Sequence, residues 1–220
     1  MALSTPATLT TGNSTATEQS VATASIAPTP GALIVVCFAI RSAVDLTGVN
    51  ITDDFAGGIG AWTTTSHTYN NSGIRITVIV AYALAGASPG SGTITAGWGV
   101  DSGNKGWVIS EITGTDPSTP VRQIQSNSGA NSTLTVTLDS MPKEDSVVMG
   151  LIASRDTSIT AGASFAELAE DGTTGIHAQI EYDTTPTSQT VNWSGLTALF
   201  GNSGFGIEVQ APSSSFLLMF

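Results

Sequence analysis

The chain has 220 residues, a net charge of -11 and only 10% charged residues, among them six Lys and Arg side chains. So acidic a chain repels phosphate backbones and anionic lipid surfaces, and we therefore expect neither nucleic acid nor a membrane as its partner. Abundant Thr, Ser and Gly favour pleated strands joined by tight turns, and helix formers are scarce.

The first twenty residues contain one charged side chain, Glu18, and no apolar periodicity. They lack the basic and hydrophobic regions of a secretory signal, so we expect synthesis in a cytoplasm without export by that route. The composition predicts an extended N-terminal arm over residues 1–20. A β-sandwich domain is predicted for residues 21–211 and an apolar tail for residues 212–220.

Strict alternation marks three half-buried strands in the second half of the chain. Apolar residues 134, 136 and 138 alternate with threonines, and the same pattern occurs at residues 177–182 and 205–210. Because successive side chains of a strand point to opposite faces, the alternation predicts one face in the core and one in water. It places His177, Glu181 and Glu208 on the solvent-facing sides.

Longer apolar runs predict strands that are buried on both faces. They cover residues 32–40, 74–84 and 147–152, and such strands occupy the centre of a sandwich or an interface between subunits. With further strands near 93–99, 106–113, 120–125 and 187–193, the count is roughly ten to twelve. This predicts an all-β, two-sheet antiparallel sandwich that is jelly-roll-like. Residues 163–170 are the only candidate helical turn, and no repeat of fixed period is visible.

Residues suited to catalysis are few. The chain has two histidines, with His67 in a Thr-rich predicted loop, and one cysteine, Cys37, within an apolar run. No nucleophile elbow, zinc motif or calcium loop is present, so we expect no enzymatic activity, no cofactor and no metal site. A glycosidase would need two facing carboxylates, and the sequence leaves open that Glu111, Glu167, Glu181 and Glu208 face one groove.

Four tryptophans allow two interpretations. Trp62, Trp98, Trp107 and Trp193 could present a sugar-stacking surface, as aromatic residues do in carbohydrate-binding modules. Trp98 and Trp107, however, each follow a glycine that makes room for a large core side chain. We therefore favour core packing.

The chain ends in five large apolar residues after a serine-rich spacer. These residues are Phe216, Leu217, Leu218, Met219 and Phe220. Exposed to water, such a tail would associate with other apolar surfaces. We therefore expect these residues either to complete the core of this chain or to dock on a neighbouring subunit. The spacer favours the neighbour.

The segment from Thr93 to Val121 resembles a group of bacteriophage virion proteins in which a strand pair leads into a Gly-x-Asp-x-x-x-Pro turn, here at Gly114, Asp116 and Pro120. Residues 134–138, 146–152, 193–195 and 206–209 extend the resemblance over residues 20 to 210. Members of the group are β-sandwich structural proteins of phage heads or tails. The resemblance therefore implies assembly and brings no active residues with it.

These observations predict a capsid decoration or cement protein on the exterior of a virion, made in the host cytoplasm. Its partners would be the major capsid protein or other virion proteins, contacted by an N-terminal arm around Leu3 and Leu9 and by the tail Phe216 to Phe220. Apolar tails and doubly buried strands also favour a homo-oligomer, a dimer or trimer. The alternatives are a tail or fibre adhesin that binds host glycans and, less favoured, a secreted carbohydrate-binding module.

Overall fold

The computed structural model describes residues 2–71 and 73–213 of the chain. Within these ranges there are sixteen β-strands and no helix, and every strand pairing is antiparallel, which confirms the predicted all-β antiparallel sandwich. The first eight strands are β1 (Ala7–Ser14), β2 (Glu18–Ala22), β3 (Leu33–Ser42), β4 (Asn50–Asp53), β5 (Thr63–Asn71), β6 (Ile74–Leu84), β7 (Ile94–Ser102) and β8 (Asn104–Ile112). The other eight are β9 (Val121–Gly129), β10 (Leu134–Thr137), β11 (Val147–Ser154), β12 (Thr160–Ala161), β13 (Ala166–Thr173), β14 (Ile176–Asp183), β15 (Thr190–Ser194) and β16 (Asn202–Val209).

The strands form four sheets that stack in four layers. Two five-stranded inner sheets, β1-β8-β3-β6-β5 and β9-β16-β11-β14-β13, face each other across a central core. A three-stranded outer sheet, β2-β7-β4, covers the far side of the first inner sheet, and β10-β15-β12 covers the far side of the second. Three hydrophobic cores therefore separate the layers.

This stacking explains why some apolar runs do not alternate. In β3, Leu33, Val35, Cys37 and Ala39 face the central core, whereas Ile34, Val36, Phe38 and Ile40 face the first outer sheet. Because both faces of the strand are buried, the side chains on both faces are apolar and the sequence does not alternate. The predicted doubly buried strands are thus covered within one chain and do not require a partner subunit.

The fold contains an internal repeat. Strands β1–β8 form an N-terminal half and strands β9–β16 a C-terminal half, and the two halves have the same strand order in their inner sheets and in their outer sheets. Each half is a jelly-roll-like sandwich of eight strands. The repeat has no constant period: β3 and β11 begin at Leu33 and Val147, whereas β8 and β16 begin at Asn104 and Asn202.

Two local predictions are wrong. Residues 163–170, the candidate helical turn, lead into and form part of strand β13. His67 lies within β5 and not in a loop. The predicted arm, residues 1–20, contains β1, which pairs with β8, and the start of β2, which pairs with β7. Most of the arm is therefore extended and belongs to the sheets of this chain.

Candidate partner interface

The two ends of the described chain meet in one groove, which we call the terminal groove. It has a volume of about 360 Å³ and lies where β11 begins. Its walls include Ala2, Leu3, Asp145, Val147, Ala211 and Pro212. Both segments that the sequence predicts as partner contacts therefore start from the same surface.

Two hydrogen bonds between Ser4 and Thr113 fix the N-terminal side of this groove. The amide of Ser4 donates to the carbonyl of Thr113 at 3.0 Å, and the amide of Thr113 donates to the Ser4 hydroxyl at 2.9 Å. Leu3 packs against the central core, while Leu9 packs against the core beneath the first outer sheet. The two leucines thus lie on opposite sides of the first inner sheet. Their role as partner contacts stays a prediction.

The C-terminal side is fixed by the segment that connects the two halves. The amide of Gln210 donates to the carbonyl of Pro120 at 3.0 Å, and the carbonyl of Gln210 accepts from the amide of Asp116 at 2.9 Å. The side chain of Gln210 also donates to the carbonyl of Thr119 at 2.7 Å. These bonds direct the chain toward the terminal groove, and the predicted contacts Phe216 to Phe220 lie outside the described residues.

The four glutamates considered for a glycosidase groove do not converge. Glu111 accepts hydrogen bonds from the amide and hydroxyl of Thr29, both at 2.8 Å. Glu208 forms an ion pair with Arg122 at 2.7 Å. Only Glu167 and Glu181 are neighbours, as directly opposed residues of β13 and β14.

Glu181 and Glu208 are fully buried, so their predicted exposure is wrong. The outer sheet of the C-terminal half and its loops cover the face of β14 on which Glu181 lies. Burial raises the pKa of Glu181 to about 8, a hydrogen bond from the Gly162 amide opposes the shift, and the Glu167 carboxylate adds to it. Glu181 therefore carries a proton near neutral pH, and within the described chain its Oε1 has no hydrogen-bond partner.

The histidines and the cysteine take part in packing. His67 Nε2 lies 3.2 Å from the Ser128 hydroxyl, and burial lowers the pKa of the imidazole. His177 Nδ1 lies 2.8 Å from Glu170 Oε1 and is mostly covered, which differs from its predicted solvent-facing position. Cys37 is buried in the central core, and desolvation raises the pKa of its thiol, as expected of a small core side chain.

Three tryptophans are core residues, and for Trp98 and Trp107 the preceding glycines predict this. Trp98 and Trp193 are fully buried in β7 and β15, the middle strands of the two outer sheets, and Trp107 is almost fully buried. Trp62 is partly buried and donates from Nε1 to Asp53 at 2.8 Å. Most of the indole surface is thus buried in the protein and is not exposed for stacking on a sugar.

Among residues 2–71 and 73–213, no group of three or more His, Cys, Asp or Glu side chains is placed to hold a metal ion. The same residues include no helix long and apolar enough to cross a membrane. Comparison with protein-family models, with curated proteins and with solved structures finds no match to the chain.

Proposed function

We propose that the chain is a structural protein of a bacteriophage virion, specifically a capsid decoration or cement protein that binds the exterior of an assembled shell. The observation that carries this proposal is the terminal groove, because the segment around Leu3 and the chain leading to the apolar tail leave the fold side by side. Two adjacent segments can engage two neighbouring capsid subunits at once. The resemblance of residues 93–121 to virion proteins supports the same assignment.

The mechanism is thermodynamic linkage. A protein that binds only the assembled shell adds its binding free energy to the stability of that shell. Two linked contacts act together because the first raises the effective concentration of the second. The four-layer fold suits this role, since it places Leu3 and Pro212, from which the two contact segments extend, at the same groove.

Co-sedimentation with phage particles tests the proposal. We expect the full-length chain to sediment with intact particles and to raise the temperature at which they release their genome. A variant with serine at all five positions Phe216 to Phe220 should bind at least about tenfold more weakly, because burial of even one large apolar side chain contributes about 1.5–3 kcal/mol. Leu199→Ser is the matched control, since Leu199 is an exposed apolar residue elsewhere on the surface.

Two results would contradict the proposal or part of it. If the full-length chain stays at the top of the gradient, the chain is not a cement protein. Equal binding of the serine variant would remove the tail from the interface while leaving the rest of the proposal in place. Binding of the chain to a glycan array without binding to particles would favour the adhesin.

A further inference from the structure

An apolar segment follows directly on the described chain at the terminal groove. Ser213 is the last described residue, and the seven residues after it include Phe216 to Phe220. Large apolar side chains are otherwise rare on the surface, since the exposed ones among the described residues are Val44, Met141 and Leu199. Five consecutive ones in water would be an exception on this surface, and the hydrophobic effect favours their burial.

The terminal groove starts where this segment leaves the fold. Ala211 and Pro212, which follow β16, line one end of it, Val147 at the start of β11 lines the middle, and Thr184 after β14 lines the other end. Because β16, β11 and β14 are neighbours in the second inner sheet, the groove crosses two strand spacings, about 10 Å. Leu3 contributes the opposite wall.

A second cavity, which we call the proline cavity, adjoins the terminal groove. It has a volume of about 320 Å³, and its walls include Pro142, Glu144, Thr185, Pro186 and Thr187. The chain neighbours of Glu144 and Thr185, which are Asp145 and Thr184, line the terminal groove. The two cavities are therefore separated only by the two loops that line both of them.

The tail matches these two cavities in size, reach and charge. A cavity of roughly 150 Å³ holds one benzene ring, so each cavity has room for about two large apolar side chains. Seven extended residues span roughly 23 Å, which is enough to cross the terminal groove and enter the proline cavity. Asp145 is the only charged residue that lines the terminal groove, and the tail contains no charged side chain.

We propose that in the free protein the tail, Phe216 to Phe220, docks in the terminal groove and the proline cavity of its own chain. Docking within one chain is favoured over docking on a second copy, because the tail starts at the groove and its effective concentration there is high. The inference does not rest on the proposed role as a cement protein, since it concerns the chain alone. A tail that contacts a shell would leave the groove to do so.

Disulfide trapping in the full chain tests the docked position. Thr184→Cys, at an exposed residue of the groove wall, is combined with Leu218→Cys in the tail. The native Cys37 does not compete, because it is buried and desolvation raises the pKa of its thiol. Under mild oxidation we expect an intrachain disulfide, visible as a faster-migrating monomer on a non-reducing gel, at a rate independent of protein concentration.

A second variant separates docking from mere proximity of the tail to the groove. Phe216→Ser and Phe220→Ser, added to the cysteine pair, keep the length of the tail but remove its two aromatic rings. The rate of disulfide formation should fall at least about tenfold, because the apolar contacts that hold the tail in the groove are lost.

Val44→Cys with Leu218→Cys is the matched control. β3 begins at Leu33, which pairs with Ile112 near the terminal groove, and its ten residues extend about 33 Å away from there. The exposed Val44 lies beyond the far end of β3, out of reach of the tail, so this pair should form no intrachain disulfide.

Three results would overturn the proposal. Interchain dimers as the only product of the Thr184 and Leu218 cysteine pair would place the tail on a second copy. Absence of any disulfide from that pair would place the tail away from the groove. An unchanged rate of disulfide formation after the two serine substitutions would show that the tail is tethered near the groove without docking in it.

Discussion

Glu181 is the residue whose ionisation the fold opposes most clearly. It is fully buried next to Gly150, whose added methyl group would lie 2.7 Å from Glu181 Oε1, and its pKa is raised to about 8 from an ordinary value of 4.5. The unfolded chain loses this proton near pH 4.5, whereas the folded chain keeps it until about pH 8. The contribution of Glu181 to stability is therefore fully present below pH 4.5 and is lost as the pH rises through 8.

Glu181→Gln should remove this pH dependence. The amide has the same shape as the protonated carboxyl and still offers an oxygen to the Gly162 amide. Near pH 8 we expect the variant to exceed the wild type in free energy of unfolding by a few kcal/mol, since one pKa unit corresponds to about 1.4 kcal/mol. Near pH 4.5 the advantage should vanish. Urea unfolding at several pH values measures both.

The exposed carboxylate of Glu144 offers a matched control for this experiment. Glu144→Gln should leave the pH profile of stability close to that of the wild type, because an exposed carboxylate has a similar environment in the folded and unfolded chain. If Glu181→Gln gave the same profile as Glu144→Gln, the buried carboxyl would not be the source of the slope.

The sequence could not predict the burial of Glu181. Its strand alternates apolar and polar residues, and alternation indicates which face is more polar, not whether another layer covers that face. The covering layer comes from short strands such as β12, only two residues long, which leave almost no periodic signal. By contrast, the strand at Leu134 was predictable because its polar face does remain exposed.

At the level of elements, Lys105 attaches the turn between β1 and β2 to the rest of the first half. Its fully buried ammonium donates to the carbonyls of Ala16 and Ser102, at 2.5 and 3.0 Å, and lies 3.1 Å from the Glu18 carboxylate. The ammonium also lies 5.6 Å from the centroid of the Trp98 ring. The turn between β1 and β2 is thus attached to β7 and β8 by one side chain.

Lys105→Met should loosen this turn. Methionine keeps the volume but leaves the two carbonyls without their donor, which should lower the free energy of unfolding by about 1–3 kcal/mol. Amide exchange should accelerate at residues 14–18 while the central strands stay protected. Lys143→Met, at an exposed lysine, should change stability by less than about 0.5 kcal/mol. Unchanged exchange at residues 14–18 in Lys105→Met would show that strand pairing alone holds the turn.

The strands as elements were largely predictable, but their assignment to four sheets was not. The apolar runs at β3, β6 and β11 identify strands with two buried faces, and this pattern is compatible both with a subunit interface and with additional layers in the same chain. Additional layers are the correct alternative, because each half of the internal repeat supplies an outer sheet that covers the second face of its own inner sheet. The sequence does not reveal the repeat, because loops of different length separate equivalent strands by different numbers of residues. The one visible trace is a buried tryptophan, Trp98 or Trp193, in the middle strand of each outer sheet.

At the scale of the molecule, the contact segments were predicted from their apolar content, but their meeting in one groove depends on the repeat. The N-terminal half begins and the C-terminal half ends at strands that lie next to the shared central core. Leu3 and Ala211 therefore reach the same groove.

The shared central core predicts that the two halves unfold together. The inward faces of β3 and β6 from one half and of β11, β14 and β16 from the other form a single hydrophobic cluster. Separating the halves would expose both inner sheets to water, so neither half should persist alone. Differential scanning calorimetry should show one transition whose calorimetric and van't Hoff enthalpies agree.

Leu151→Ala and Val136→Ala test this coupling from two layers. Leu151 lies in the central core and Val136 in the core beneath the second outer sheet, and both are fully buried. Leu151→Ala should cost about 2–5 kcal/mol and lower the melting temperature by roughly 5–15 °C. Val136→Ala should move the same single transition by a smaller amount. If all four layers unfold cooperatively, a defect in the outermost core lowers the melting temperature of the whole chain. A second peak in either variant, or a part of the transition that Val136→Ala does not shift, would instead show two independent folding units.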